Sequence, residues 1–332
     1  MELDRQSETG DQQPSRLWLK VLLQVAGALV GVALLVWALR LATSGDNAQR
    51  IEVLRRAPIE KVAALMALSA LSLCINGVMF NITLRPLKRI PMGETIAANW
   101  IATCLSVLPF KLSLIVRTLV HVRKHGVSWK QMGAWYAAFA GLTLGTVGIV
   151  VAIIAVRGSF DAIAVGVIVA ALAGFLVVVH GGGLLIPAIA KRFPKFGVLS
   201  MGAERIALSR GIVAAHVGLR LLDLCTYGLR FWIAAGVAGV ALTPSQGMQV
   251  GCTNMLLRAM APAGTLGFTE AGTAFAGGLM GLSKETVALL ALVCSAGEFM
   301  TALPLAIIAW IWLAPHKFIA KRSSPVVPPT VL

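Results

Sequence analysis

Apolar positions along this chain run together rather than alternate. Stretches with few or no charges occupy 17–39, 62–84, 131–156, 162–190, 212–242 and 286–313. Each is long enough to cross a hydrocarbon layer of about 30 Å, which takes about 20 helical residues. Six spanning helices are predicted from them, because a helix satisfies its own backbone polar groups in lipid. Two further apolar regions are broken inside: 94–122 by Pro109, Lys111 and Arg117, and 247–282 by Arg258, Pro262, Gly264, Gly267 and Glu270. Each is too long for one helix and too short for two full crossings. An arm of about 13 residues spans about 20 Å, so each region is predicted to be a re-entrant helical hairpin. A non-helical tip at that depth is tolerated only where protein or water surrounds it.

The composition agrees with this pattern. Of 332 residues 58% are hydrophobic and 13% charged, with a mean hydropathy of +0.83, outside the range of soluble domains. The predicted class is an all-α polytopic membrane protein. The first apolar run is longer than the core of a signal peptide, and the residues before it mix Glu2, Asp4, Glu8 and Asp11 with Arg5, Arg16 and Lys20. It reads as an uncleaved anchor behind a disordered polar tail (1–16), followed by an integral membrane domain (17–315) and a basic, proline-rich tail (316–332). The aqueous segments, at most about 20 residues each, leave no room for a soluble catalytic domain. Cys74, Cys104, Cys225, Cys252 and Cys294 all lie in hydrophobic segments without CxxC spacing or a histidine cluster, so neither disulfides nor a metal site are predicted.

Charge sets an orientation. With a cytoplasmic N-terminus and both hairpins re-entrant, 17 of the 29 Lys and Arg residues fall on the inner side, at the N-terminus, 85–89, 123–130, 191–210 and the C-terminus. This follows the positive-inside tendency and predicts a cytoplasmic C-terminus in a cell inner membrane. The basic 40–61 segment is the misfit and reads as an interfacial helix. The chain then divides into halves at about 17–156 and 157–315, each with two spans, a hairpin and a final span, starting on opposite sides. Arg117 follows Pro109 by eight residues as Glu270 follows Pro262, and the hairpins end in "HGVSWK" and "MGLSKE". An inverted repeat is predicted, a recurring plan among transporters.

"PAGTLGFTEAG", "MGLSKETVALLALVCSAGEF" and "LPFKLSLIVRTLVHVRKHGVSWKQMGAW" resemble the transmembrane region of lysylphosphatidylglycerol synthases and their stand-alone relatives. The resemblance covers about 20–315 and implies lipid translocation, or a place in envelope lipid or lipid-linked glycan pathways. This chain departs from the family's first motif at Phe110, Ser113 and Leu114, and lacks an acidic and basic pair around Tyr136 to Phe139. It also lacks the aminoacyl-transfer domain of the synthases, which argues against lipid synthesis.

Charge at bilayer depth costs roughly 2.5–3.5 kcal/mol on insertion scales and normally faces protein or a wet cavity. Arg117 and Glu270, at equivalent repeat positions, are expected near one another at the hairpin tips, where an opposite-charge pair can form. Such a pair either pins the halves together or binds and gates a head group, since arginine's fork of donors suits phosphate. His216, Arg220, Asp223, Tyr227 and Arg230 share an arc of about 80° on one helix. Either Arg220 and Asp223 pair at i, i+3 while the outer members snorkel, or the stripe walls a head-group pathway. Glu298, isolated in the last span, is expected to be protonated, to pair with Arg258, or to couple protons. Lys111 marks a tip, and His180 before "GGG" reads as a helix-end residue.

The net charge of +15 is spread over inner loops and a tail, which fits topology and anionic lipids rather than nucleic acid. No P-loop, HExxH or glycosidase-like carboxylate pair occurs, and "GLTLGTVG" suits helix packing. No cofactor is expected, and the partners are membrane lipids. The leading expectation is a lipid translocase for an amphiphile with a charged or glycosylated head group. The alternative is an accessory or scaffold subunit of a lipid-modifying membrane enzyme; a lipid transferase is weakest, since no nucleophile and base can be named.

Overall fold

The computed structural model describes residues 15–44, 47–106, 112–193, 197, 201–261, 265, 267–315 and 317. The helices are α1 (Ser15–Ala42), α2 (Asn47–Arg55), α3 (Ile59–Leu84), α4 (Met92–Leu105), α5 (Leu112–Leu119), α6 (Trp129–Arg157), α7 (Ala162–Arg192), α8 (Ala203–Leu208), α9 (Arg210–Val237), α10 (Pro244–Met260), α11 (Phe268–Leu279) and α12 (Lys284–Leu313). A π-helical turn, Val120–Lys124, continues α5. No strand occurs among the described residues. Six helices among them, α1, α3, α6, α7, α9 and α12, are long and apolar enough to cross a membrane. The chain is an all-α, multi-pass membrane protein.

Local chemistry sets the helix ends. Ser128 caps α6 and exchanges hydrogen bonds with Gln131 in a capping box, while Gly158 at φ 69° ends it in the left-handed region. Asp161 then caps α7, accepting the Ala164 N–H at 2.8 Å. The predicted fifth apolar run, 212–242, overshoots. α9 stops at Val237, Gly239 turns the chain at φ 66°, and Thr243 with Gln246 boxes the start of α10. His180 is not at a helix end, because α7 continues through the glycines to Arg192; there His180 Nε2 meets Arg210 Nη2 at 3.2 Å. The basic 40–61 segment does contain a helix, α2, whose Arg50 donates to Thr286 Oγ1 at 2.7 Å.

The centre of the bundle is the antiparallel pair α3 and α9. Lys61 near the start of α3 donates to the Gly236 carbonyl near the end of α9, and Asn76 further along reaches Asp223. Four of the shorter helices pack as two hairpins, α4 with α5 and α10 with α11. In the first, Lys124 and His125 at the end of the π turn return to Glu94 at the start of α4, at 2.9 and 3.1 Å. In the second, Asn254 of α10 donates to Thr273 of α11 at 2.9 Å. The first hairpin begins beside the end of α12, where Gly93 touches Trp312. The second begins at the opposite end of the bundle, where Gln249 donates to the Gly158 carbonyl. α10 lies so close to α9 that a methyl group on Gly251 would stand 2.6 Å from the Gly228 nitrogen and 2.7 Å from the Tyr227 carbonyl.

α4 packs on α3 and α12, and α10 packs on α9 and α6. α1 touches the bundle through α11 and α12, and elsewhere exposes Leu29, Val30 and Val32. Its Gly31 carbonyl lies where a side chain on Gly267 would point, and Gly267 itself has φ 79°. That position therefore admits only glycine.

Candidate functional site

Every member of the α9 stripe is buried against protein: His216, Arg220, Asp223, Tyr227 and Arg230. The Arg220–Asp223 pair forms at 2.9 Å. Asp223 also accepts from Ser72 Oγ at 2.5 Å and Asn76 Nδ2 at 2.8 Å. Arg220 in turn donates to Thr143 Oγ1 at 3.2 Å, whose hydroxyl is 3.4 Å from His216 Nε2. These contacts join α3, α6 and α9 and give the buried charges the partners that low-dielectric surroundings demand. The expected snorkelling of the outer members fails: His216 is 0% and Arg230 2% exposed. Both are held at depth, His216 edge-on to Phe139 with ring centroids 5.0 Å apart and Arg230 by Glu298.

Glu298 is the junction between α9, α10 and α12. One carboxylate oxygen accepts from Arg230 Nη2 at 2.9 Å, and the other pairs with Arg258 Nη1, one of the alternatives read from the sequence. Both guanidiniums lie over the Tyr227 ring, 4.8 and 5.9 Å from its centroid. Arg230 donates as well to the Cys294 carbonyl at 3.0 Å.

Glu270 has a different role from the one expected. It does not pair with Arg117. Its carboxylate folds back on the first turn of α11, accepting the Gly267 N–H at 2.7 Å and the Thr269 hydroxyl at 3.0 Å, while its second oxygen accepts from Ser295 Oγ at 2.6 Å. Arg117 meets Asn99 instead, donating from Nη2 at 2.9 Å, with its guanidinium 3.9 Å over the Phe80 ring. Equivalence in a repeat fixes depth but not the direction of a side chain, and α5 presents Arg117 to α3 and α4. Of the predicted tip residues, Pro109, Lys111, Pro262 and Gly264 lie outside the described residues.

The hairpins meet at their tips. Thr265 N–H donates to the Ser106 carbonyl at 3.4 Å, and beside this contact lies a cavity of about 280 Å³. Thr103 and Ser106 from the first hairpin, and Thr265 and Ser295, bring hydroxyls to its wall; Arg258, Glu270 and Glu298 bring charge. With all groups ionised, Glu270 and Glu298 balance Arg258 and the adjoining Arg230. Such a wall can hold a phosphate oxyanion and a cationic or hydroxyl group together. Among the described residues no cluster of His, Cys, Asp and Glu could hold a metal ion.

Sequence reasoning missed the neutral partners, Ser72, Asn76, Asn99, Thr143 and Ser295. Their signal was visible as polar side chains within otherwise apolar runs. The π turn at Val120–Lys124, a geometry often found at functional sites, left no trace in the residue pattern.

No curated protein and no solved structure matches the chain. Residues 24–307, in contrast, match the family described as the lysylphosphatidylglycerol synthase TM region, and the match takes in both hairpins and every charged residue of the cavity. The chain therefore belongs to the lysylphosphatidylglycerol synthase transmembrane-region family, membrane proteins linked to lipid biosynthesis or translocation.

Proposed function

We propose that this chain is a translocase that moves an amphiphilic lipid with a charged or glycosylated head group across an inner membrane without altering it chemically. One observation carries the reading: a cavity with hydroxyls and charges of both signs lies where two helical hairpins meet tip to tip. Charge at membrane depth that faces a cavity marks a substrate path. Membrane lipids are the partners, with the head group in the cavity and the acyl chains left in the bilayer.

The packing supports the rest of the topology. Both hairpins read as re-entrant, one from each face. The first helix of each rests on the central helix of its own half (α4 on α3, α10 on α9) and on the last helix of the other (α4 on α12, α10 on α6). That exchange is what an inverted repeat produces. Arg85, Lys88, Arg123, Lys124 and Arg210 gather at the end where the first hairpin begins, which supports reading that end, and with it both termini, as cytoplasmic.

Purified protein in liposomes with labelled phospholipid in one leaflet tests the proposal. Wild type should move lipid, and Arg258→Gln and Glu270→Gln should each lose at least tenfold in rate while staying folded by circular dichroism. Wild-type rates in both variants, or no movement of any phospholipid or glycolipid by the wild type, would refute it.

A further inference from the structure

Among the described residues, four arginines reach into the bundle: Arg117, Arg220, Arg230 and Arg258. Three have a carboxylate partner, Asp223 for Arg220 and Glu298 for Arg230 and Arg258. Arg117 has none among the described residues. Its neighbours are all neutral: the Asn99 side-chain carbonyl at 2.9 Å, the face of Phe80 and the hydroxyl of Tyr136, which lies 3.2 Å from Thr118 Oγ1. Its Nε is enclosed without an acceptor. One turn further on, His121 is fully buried and neither ring nitrogen has a partner. Donors are therefore in surplus on this face of the first hairpin, and negative charge is missing.

A ring face and an amide dipole return only part of what a guanidinium loses on leaving water. Its charge calls for an anion from outside the chain. Arg117 is itself only half-buried, beside the exposed apolar side chains of Leu114 and Ile115, so that anion can approach from the lipid. A planar fork of donors flanked by a second amide suits a phosphate oxyanion. We infer that Arg117, Asn99 and Tyr136 form a binding site for the phosphate of a lipid head group, distinct from the cavity at the hairpin tips. Asn99 lies one helical turn before Thr103, which lines that cavity. A head group entering from the end where the first hairpin begins therefore meets Arg117 first and the cavity second. This order rests on the translocase reading; binding at Arg117 does not.

The test uses the purified full chain in a neutral detergent, titrated with dihexanoyl phosphatidylglycerol, dihexanoylglycerol and inorganic phosphate. Binding is read from tryptophan fluorescence, since Trp135 sits 4.6 Å from Tyr136 between ring centroids. Phosphatidylglycerol should bind, and dihexanoylglycerol, which lacks the phosphate, should not. Arg117→Gln should weaken binding at least tenfold and Arg117→Lys less. Without lipid, Arg117→Gln should unfold at or above the wild-type temperature, because it removes a charge that has no counterion. Unchanged affinity in Arg117→Gln, or its unfolding at a lower temperature, would overturn the site. Inorganic phosphate binding as tightly as the lipid would assign it to a free anion and overturn the lipid. Glu270→Gln separates the two proposals, because it leaves Arg117, Asn99 and Tyr136 in place and should move phosphatidylglycerol at least tenfold more slowly. Normal transport by that variant, with lipid binding still lost in Arg117→Gln, would refute the cavity reading and leave this one standing.

Discussion

Glu298 neutralises two arginines at once, and replacing it by glutamine exposes what that arrangement is worth. Glutamine keeps the size and one acceptor oxygen but deletes the negative charge paired with Arg230 and Arg258, the only such partner among the described residues. Arg230 has little else to turn to: it is 2% exposed, and its Nε and Nη1 have no acceptor. Removing one partner of a buried pair costs about 3–5 kcal/mol. Because Arg258 keeps partial exposure to the cavity, the two losses do not simply double, and about 4–5 kcal/mol is expected. Glu270→Gln is the matched control. Glu270 has no ion pair among the described residues, and glutamine can retain part of its three hydrogen bonds, so about 1–2 kcal/mol is expected there. Unfolding of the detergent-solubilised protein by a denaturing detergent, followed by circular dichroism, ranks the variants. Adding Arg230→Met to Glu298→Gln should recover at least half of the loss by removing the stranded cation, a coupling that a double-mutant cycle isolates. The reasoning is refuted if Glu298→Gln costs no more than Glu270→Gln, or if Arg230→Met adds its own cost instead of compensating.

Three further predictions follow from other parts of the bundle. Asp223→Asn should destabilise by about 3 kcal/mol because it strands Arg220, whereas Asp223→Asn with Arg220→Met should lose less in the same assay. Gly251→Ala should cost about 2–3 kcal/mol, since its methyl group meets the α9 backbone at 2.6–2.7 Å and backbone cannot rotate away; a thermal shift below that of Gly211→Ala, where nothing lies within 4 Å, would contradict this. The Ala164 N–H, with Ser159 and Arg157 after it, holds the Asp161 carboxyl at about 2 against an ordinary 3.8. A folded-state pKa below the unfolded one stabilises the fold above about pH 4, and that contribution fades as pH falls toward 2. The gap in unfolding temperature between wild type and Asp161→Ala should therefore be full at pH 6 and less than half as large at pH 2.5.

The spanning helices were legible because lipid demands long apolar runs and little else competes with that signal. The end of α9 was not, since Val240, Ala241 and Leu242 continue the apolar run past the true break at Gly239. The hairpins were announced by charges and prolines inside apolar sequence. Their partners were harder to read. Arg220 with Asp223 lies on one helix, where spacing gives direction, and Arg258 with Glu298 joined the two costliest isolated charges in the second half. Arg117 and Glu270 were matched by depth alone. Depth does not say that Glu270 turns back to its own helix start, or that Arg117 finds a neutral asparagine.

The attachment of α1 bears on how the molecule is made. α1 leaves the ribosome more than 200 residues ahead of the helices it touches, α11 and α12. At 5–20 residues per second, roughly ten seconds or more separate them. Through that interval α1 lacks α11 and α12, and its apolar surface, with Leu29, Val30 and Val32 facing outward, suits a helix that waits in lipid. α9 faces the opposite situation. It carries His216, Arg220, Asp223 and Arg230 into the membrane, but Ser72, Asn76 and Thr143 are already there to receive the first three. Of the α9 charges, Arg230 alone arrives before its carboxylate and, like Arg258 after it, stays uncompensated until synthesis reaches Glu298. The order of the genetic message thus decides which helices must be at home in lipid by themselves and which can count on a neighbour.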